Sequence, residues 1–391
     1  MRTGIATIPL DYGRCPRWLF ERMKRLSRAI FLAIREEFGP DEILKRLSDP
    51  VWFQSLGCVI GFDYNSSGLT TTTLAAIKTG IFDIQDKLGI YVCGGKRTSR
   101  KTPEEIRTYA DSYGFPFGEK LVYASKITAK VDSSLVQDNY QIYHHNFLFT
   151  ESGNWAVIQQ GLNTENKTAR RYHWLSSNIK TPSADSGYNP SAGSGYDFIE
   201  EPHSGIISDL KVKPLNLTAK ESEKNREIST ELIKQPKTFL KDVKTISEKS
   251  NSLIKQKRIP GFCEMELYDK EFYCHSVLKE KFDLKRLEKT ILFANSQNPK
   301  NFEQLLSIKG IGPKTIRALS LVSEIIYGAK PSYQDPARYT FAHGGKDYTP
   351  YPVDKKTYDT TIEILERGIK KSKIGLSEKE KAISRLKNFM H

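Results

Sequence analysis

The stretch Ile308-Lys309-Gly310-Ile311-Gly312-Pro313-Lys314-Thr315 sets the organisation of the C-terminal part of this 391-residue chain. A short amphipathic segment precedes it, Asn301 to Ser307, with apolar Phe302, Leu305 and Leu306. A longer one follows, with Pro313 suited to a first helical turn and Ile316, Leu319, Val322 and Ile326 at helical spacing. The reading is helix, Gly-x-Gly turn, helix. Gly310 and Gly312 can take backbone angles closed to other residues and let the main chain approach a ligand closely. The turn ends at a helix N-terminus, where free amides and the helix dipole favour a phosphate. Lys309, Lys314 and Arg317 add positive charge. Lys309, Gly310, Gly312, Lys314, Thr315 and Arg317 are therefore the expected contacts to nucleic acid.

Composition points the same way. Lys and Arg outnumber Asp and Glu by 60 to 46, a formal charge of +14 with a pI of about 9.3. That balance is typical of polyanion binders. The length suffices for two or three domains with hydrophobic cores. Five cysteines (Cys15, Cys58, Cys93, Cys263 and Cys274) form no CxxC pair, and Cys58 and Cys93 sit in apolar runs as core thiols. Cys263, Cys274 and His275 fit no common zinc spacing. The apolar run Ala29 to Ile34 is too short, and too flanked by arginine, for a signal peptide or membrane span. The expectation is a cytoplasmic protein without membrane association.

Upstream of the turn, strands and helices alternate. Residues 1–13 read as strand and turn. Pro16 then opens a helix to Phe38 with apolar Leu19, Phe20, Met23, Leu26, Ile30 and Ile34. Its Arg22, Lys24, Arg25 and Arg28 read as a solvated face rather than a nucleic-acid groove. Leu56 to Phe62 is an apolar run of strand length, Ser66-Ser67-Gly68 leads into a helix to about Ile81, and Gly89 to Val92 reads as the next strand. Thr102 caps a further helix, with Glu105 at the capping-box position. This alternation predicts an α/β domain with a parallel or mixed sheet and flanking helices. Ligands bind such sheets at loops on the strand ends. Ser66, Ser67 and Gly68 fall there and are expected to hold phosphate. The basic loop from Gly94, with Lys96, Arg97, Arg100 and Lys101, is expected to touch nucleic acid.

Lys120 to Val136 predicts a helix bearing Lys126 and Lys130. Tyr140 to Leu148 and Trp155 to Gln160 alternate around Glu151-Ser152-Gly153-Asn154, a β-hairpin pattern. Residues 176–196, rich in Ser, Gly, Pro and Asn, read as a flexible insert. The lysine-dense stretch Lys234 to Arg258 reads as a mobile linker or exposed helix. The expected organisation is an α/β domain over 1–233, a linker over 234–264, and an all-α domain over 265–391 around the glycine turn. An aromatic-basic stretch, Tyr339 to Asp347, suits either base stacking or an ordered turn.

Three resemblances add to this reading. The Gly-x-Gly turn between helices resembles the helix-hairpin-helix, a module that binds DNA without reading its sequence. Across nearly its whole length the chain resembles a prokaryotic family, domain of unknown function 763. That match rests on Met1 to Thr7, Pro16 to Met23, Tyr143-His144-His145, Gly153 to Val157, Arg170-Arg171-Tyr172-His173-Trp174, Glu200 to His203 and Phe341 to Lys346. Tyr64-Asn65 departs from the family's Trp-His before Ser66. Residues 56–166 are similar in order to a phospholipase-D-like nuclease, whose hairpin carries His-x-Lys, an acid and Gly-Ser-x-Asn. His144-His145, Glu151 and Gly161-Leu162-Asn163 match in part, while Asn146 stands where that family has Lys.

The nuclease resemblance implies that His144 or His145 attacks phosphorus, with Glu151, Asn163 and the neighbouring His173 in support. Lys126, Lys130, Arg170 or Arg171 would supply the missing cation. One motif per chain implies a twofold homodimer with DNA, single- or double-stranded, as substrate. A divalent metal, Mg or Mn, is the competing mechanism, with Asp63, Asp132, Asp138, Glu165, Glu200, Glu201 and His203 as available ligands. Two other readings remain open at this level. One is a non-enzymatic DNA-binding protein. The other is a glycosylase using Lys314 and Asp335.

Overall fold

The computed structural model describes residues 15–62, 66–96, 101–180, 196–208, 212–256, 282–337 and 355–390. Asp63, Arg97, Arg100, most of 176–196, Cys263, Cys274, His275 and the stretch 339–347 lie outside the described residues. In chain order the first elements are α1 (Arg17–Phe38), α2 (Pro40–Ser48), α3 (Pro50–Ile60), α4 (Ser67–Ile81) and α5 (Gln85–Leu88). Next come β1 (Ile90–Lys96), α6 (Thr102–Tyr113), α7 (Gly118–Ser134), β2 (Val136–Gln137), β3 (Gln141–Thr150), β4 (Trp155–Asn163), β5 (Thr168–Leu175), β6 (Gly205–Ile207) and β7 (Leu215–Asn216). The helices α8 (Glu223–Ile233), α9 (Pro236–Gln256), α10 (Leu284–Ser296), α11 (Phe302–Ser307), α12 (Pro313–Ile325), α13 (Lys355–Lys371) and α14 (Leu376–Met390) follow. These residues divide into two compact units. The first takes the chain up to Asp132, Asp138–Pro214 and Asp335 onward; the second takes Ser133–Gln137 and Leu215–Gln334.

The first unit is mixed α/β, built on a five-stranded sheet of order β1-β3-β4-β5-β6 in which every pairing is antiparallel. The expectation of a parallel or mixed sheet is corrected here, because Leu56 to Phe62 is not a strand. Its residues up to Ile60 belong to α3, opened by Pro50 and capped by Asp49, whose carboxylate accepts the amides of Val51 and Trp52. All eleven residues of α3 are buried. A helix covered on every side has no polar face, and its sequence reads like a buried strand.

The β3–β4 hairpin forms where the alternation places it. Gly153 takes φ +84° in the turn, and Asp41 of α2 accepts hydrogen bonds from Thr150, Ser152 and Asn154. One face of the sheet packs against α1–α4, α13 and α14 through Ile90, Val92, Leu148, Ala156, Ile158 and Leu175. The terminal helices α13 and α14 thus serve the first unit, packing on α1 and α3, and do not join the glycine turn as the sequence suggested.

The opposite face carries a buried ionic cluster. The Arg170 guanidinium donates to Asp138 and to both carboxylate oxygens of Asp335 at 2.8–3.0 Å, and lies 4.9 Å over the Tyr140 ring. Burial pushes the Asp138 carboxyl up, against the pull of Arg170 and the Tyr172 hydroxyl. In the second unit α8 to α12 bury Phe239, Val243, Ile246, Leu305, Leu306, Ile316 and Leu319. The lysine-dense stretch is the helix α9, with three apolar residues turned inward. Asn225 of α8 donates to the carbonyls of Ser320 and Ala329 and ties α8 to the end of α12.

Arg170 and Arg171 are fully buried, so neither is available to nucleic acid or as the missing cation of the sequence reading. Truncating one partner of a buried pair strands the other charge, at a cost of about 3–5 kcal/mol. Arg170→Ala is expected to lower urea-unfolding stability by that amount; an unchanged midpoint would contradict the role of the cluster.

Candidate functional sites: a polar cleft on the sheet and an exposed glycine turn

On the helix-covered face the strands align three cross-strand rows. Val92, Leu148, Ala156 and Leu175 form an apolar row, followed by Gly94, Asn146, Ile158 and His173. The last row, Lys96, His144, Gln160 and Arg171, is entirely polar. The start of α4 packs on this end. Gln160 Nε2 donates to the Ser67 carbonyl, and Arg171 Nη1 donates to Thr70 Oγ1 at 3.0 Å. A register shift between Ile142 and His144 accompanies the Tyr143 hydroxyl accepting from Gln160 Nε2 at 2.5 Å.

Arg171 is fully buried, lies 4.7 Å over the Phe53 ring and has no carboxylate within ion-pair distance among the described residues. Burial depresses it to about 9. Its Nε donates to His173 Nε2, and His173 Nδ1 contacts the Leu47 carbonyl at 3.2 Å, so His173 is neutral with its proton on Nδ1. Burial, reinforced by the Arg171 charge, holds His173 well below the ordinary imidazole range.

His144 differs from these. Among the described residues neither ring nitrogen has a hydrogen-bond partner, and the Asn146 amide oxygen beside it has none either. Burial, then the nearby His145, bring His144 down to about 3, with the Asn146 side chain acting in the opposite direction. The ring is neutral at physiological pH. It lines a cleft of about 560 Å³ together with Arg17, Lys78, Lys96 and Asn146. Lys78 is already engaged by Glu105 and the Gly94 carbonyl, which leaves Arg17 and Lys96 as its freer cations.

His145 points to the other face, as alternate strand residues do. Its Nε2 lies 2.9 Å from Ser125 Oγ and its Nδ1 2.8 Å from Gln159 Oε1. Gln159 donates to Asp132, which also accepts from Trp174 Nε1 and meets His203 Nε2. This network is buried and internally paired. The structure therefore separates His144 from His145, and it does not bring the remaining hairpin residues to either. Glu151 is exposed at the hairpin tip, and Asn163 accepts the amides of Glu165 and Asn166 in the β4–β5 turn.

The other expected site residues are similarly dispersed. Lys126 is exposed on α7, and Lys101 is exposed where α6 begins. Ser66 and Ser67 are buried, and the Ser66 hydroxyl caps α4 through the Leu69 amide, so among the described residues they serve to start a helix. Of the metal candidates, Asp138 is held by Arg170, Glu200 by Lys180, and Asp132 and His203 by each other; Glu165 is exposed in a turn. Among the described residues no three His, Cys, Asp or Glu side chains converge as a metal-holding group.

In the second unit, Gly310 takes φ +96°, a conformation side chains resist. Gly312 is extended at φ −147°, so its value lies in the open space where a Cβ would stand. It caps α12 without a side chain, and the amides of Lys314 and Thr315 have no hydrogen-bond partner among the described residues. Lys309, Gly310 and Lys314 are exposed. A pocket of about 650 Å³ opens beside them, shared with Arg286, Leu287 and Thr290 of α10. Sequence reading missed Arg286, whose only signal is its place on the exposed, lysine-flanked face of α10. Arg317 is corrected: it is buried and hydrogen-bonds Tyr333, whose hydroxyl donates to Glu324.

A family model described as a protein of unknown function, DUF763, matches residues 4–353. The chain belongs to that family. No curated protein and no solved structure matches it. Among the described residues of this DUF763 member, no helix is long and apolar enough to cross a membrane.

The buried histidines of this DUF763 protein make a pH prediction. His144, His145 and His173 are all depressed by burial, so below the ordinary imidazole pKa of about 6.5 the unfolded chain binds more protons than the native one. Their contribution is present above that pH and is lost as pH falls toward about 3. Melting temperature should fall from pH 7 to pH 5, and more gently in His144→Gln. An equal slope in both proteins would contradict a neutral native His144.

Proposed function

We propose that this protein binds the sugar-phosphate backbone of DNA through the α11–α12 turn, in the manner of a helix-hairpin-helix, and acts on phosphodiesters at the His144 cleft. The observation that carries the binding reading is the pair of unpartnered amides at exposed Lys314 and buried Thr315, both of which line the pocket shared with Arg286. Such a cradle takes an anion at a helix N-terminus and touches no base edge, so it positions without specifying. Oligonucleotide affinity is expected to fall with salt at a log–log slope of about −0.9 per phosphate on duplex. Lys314→Gln should weaken binding on all sequences alike and make the slope shallower by about 0.9. Absence of binding at low ionic strength, or a loss confined to one sequence, would contradict the proposal.

Cleavage is the second element, and His144 favours it. The His144 imidazole is neutral, so it needs no base to become a nucleophile. Attack forms an N–P bond as the P–O bond to the leaving sugar breaks, and water then releases the phosphoryl group from the ring. Arg17 and Lys96 offset charge on the phosphoryl oxygens, and the Lys96 ammonium protonates the leaving oxygen. In this reading the acid is a cation at the cleft rim, and no imidazole from a second chain is required. Such hydrolysis requires a barrier reduction on the order of 20 kcal/mol, shared among nucleophile, charge and positioning.

EDTA-resistant cleavage that disappears in His144→Asn, with binding retained, is the expected result. EDTA-sensitive cleavage would assign the chemistry to a metal, and binding without cleavage would leave a DNA-binding protein alone. The glycosylase reading lacks its acid, because Asp335 is committed to Arg170 and the Val212 amide.

A further inference from the structure

A different cleft in the first unit lies between α1 and the link from α13 to α14, with a volume of about 580 Å³. Arg25, Arg28, Leu32 and Arg35 recur along α1 at intervals that keep them on one helical face. The fold brings Lys87 of α5, and Lys371 and Lys373 from the far end of the chain, to the same cleft. Six of the charged side chains lining it are therefore cations, and Glu36 is the single anion. This gathering has no local sequence signature; Arg22 and Arg25 are exposed, as the reading of a solvated face expects, and Arg25 and Arg28 also line the cleft.

Pairing does not neutralise it. Arg28 meets Asp83, Lys371 meets Glu37 at 2.8 Å, and Arg25 lies 3.7 Å from Glu378. Arg35, Lys87 and Lys373 have no carboxylate within ion-pair distance among the described residues. Like charges gathered in a concave, low-dielectric wall focus potential and attract an anion. The floor is apolar, made of Ala29, Ala33 and Ile374. Cations around an apolar floor suit a ligand that alternates phosphate with sugar and base. The face from Arg25 to Arg35 rises about 15 Å along α1, against about 3.4 Å of axis per phosphate on one duplex strand. It can therefore meet several consecutive phosphates. A bilayer surface is flat, whereas these cations are disposed around a concave cleft.

We propose that this cleft is a second sugar-phosphate-binding surface, which holds a nucleic-acid strand through Arg35, Lys87 and Lys373. It rests on the reading of the protein as a nucleic-acid binder, but not on the α11–α12 turn.

The test is fluorescence anisotropy of the full chain with labelled single- and double-stranded oligonucleotides, comparing wild type, R35Q/K87Q/K373Q and the charge-keeping R35K/K87R/K373R. The glutamine variant should bind at least tenfold more weakly at moderate salt. Its salt slope should become shallower by about 0.9 for each duplex phosphate it no longer neutralises. The charge-keeping variant should bind like wild type, and all three should melt together, since the substituted side chains are exposed.

Wild-type affinity and slope in the glutamine variant would overturn the proposal, whatever Lys314→Gln does. Weaker binding by the glutamine variant with Lys314→Gln unaffected would retain this surface and remove the turn. Failure of wild type to bind would remove both. Displacement of the oligonucleotide by anionic phospholipid vesicles or polyglutamate, more effectively than by unlabelled oligonucleotide, would assign the cleft to another partner and overturn the proposal.

Discussion

The cross-strand register that sets His144 against Lys96 on one side and Gln160 on the other is the constraint on which the first unit depends. Sheet side chains alternate with a period of two, so a slip of one residue would exchange the faces. His145 would then meet α4, and His144 would enter the network of Ser125, Gln159 and Asp132. The hairpin turn held by Asp41 prevents that slip at one end. At the other end, Gln160 reaching the Ser67 carbonyl ties the polar row to α4. The division between a fully paired network on one face and an unpartnered imidazole on the other follows from this register.

That contrast gives His144 its interest. Buried polar groups keep hydrogen-bond partners because leaving one unmade costs about 1–3 kcal/mol. His145, His173 and Arg171 obey this rule, and so do both terminal nitrogens of Arg170, the two arginines by different means. Arg170 is neutralised by two carboxylates, whereas Arg171 is held by Thr70, Gln54, His173 and the Phe53 ring without a counter-charge. An uncompensated guanidinium close to a neutral imidazole makes this end of the sheet electropositive even before Arg17 and Lys96 are counted. The unpartnered atoms of His144 and Asn146 are buried, in two residues that line a cleft.

Sequence pattern revealed some of this and concealed the rest for identifiable reasons. The hairpin was legible because alternation and a Ser-Gly-Asn turn are local signals. The helix pair around Gly310 was legible from its 3.6-residue period. Helix α3 was not, because a helix buried on all sides carries no polar stripe. Helix α9 was obscured by lysines, which cover an apolar face of only Phe239, Val243 and Ile246 among its described burials. The dispersal of Glu151 and Asn163 shows that motif order along a hairpin does not fix convergence in space, since the tip and the strand end point away from the polar row. Arg317 looked available from its charge, but its neighbours Ile316 and Ala318 are both fully buried and the helix turns it inward with them. The basic cleft on α1 depends on residues more than three hundred positions apart, and no local pattern records that.

The central claim is that main-chain amides at the start of α12 hold a phosphate group. The most direct measurement is an amide-resolved NMR titration of the ¹⁵N-labelled chain with a short oligonucleotide. Downfield shifts concentrated at Gly312, Lys314 and Thr315, saturating with the binding isotherm and abolished at high salt, are the predicted result. Saturated binding with those amides unmoved would contradict it.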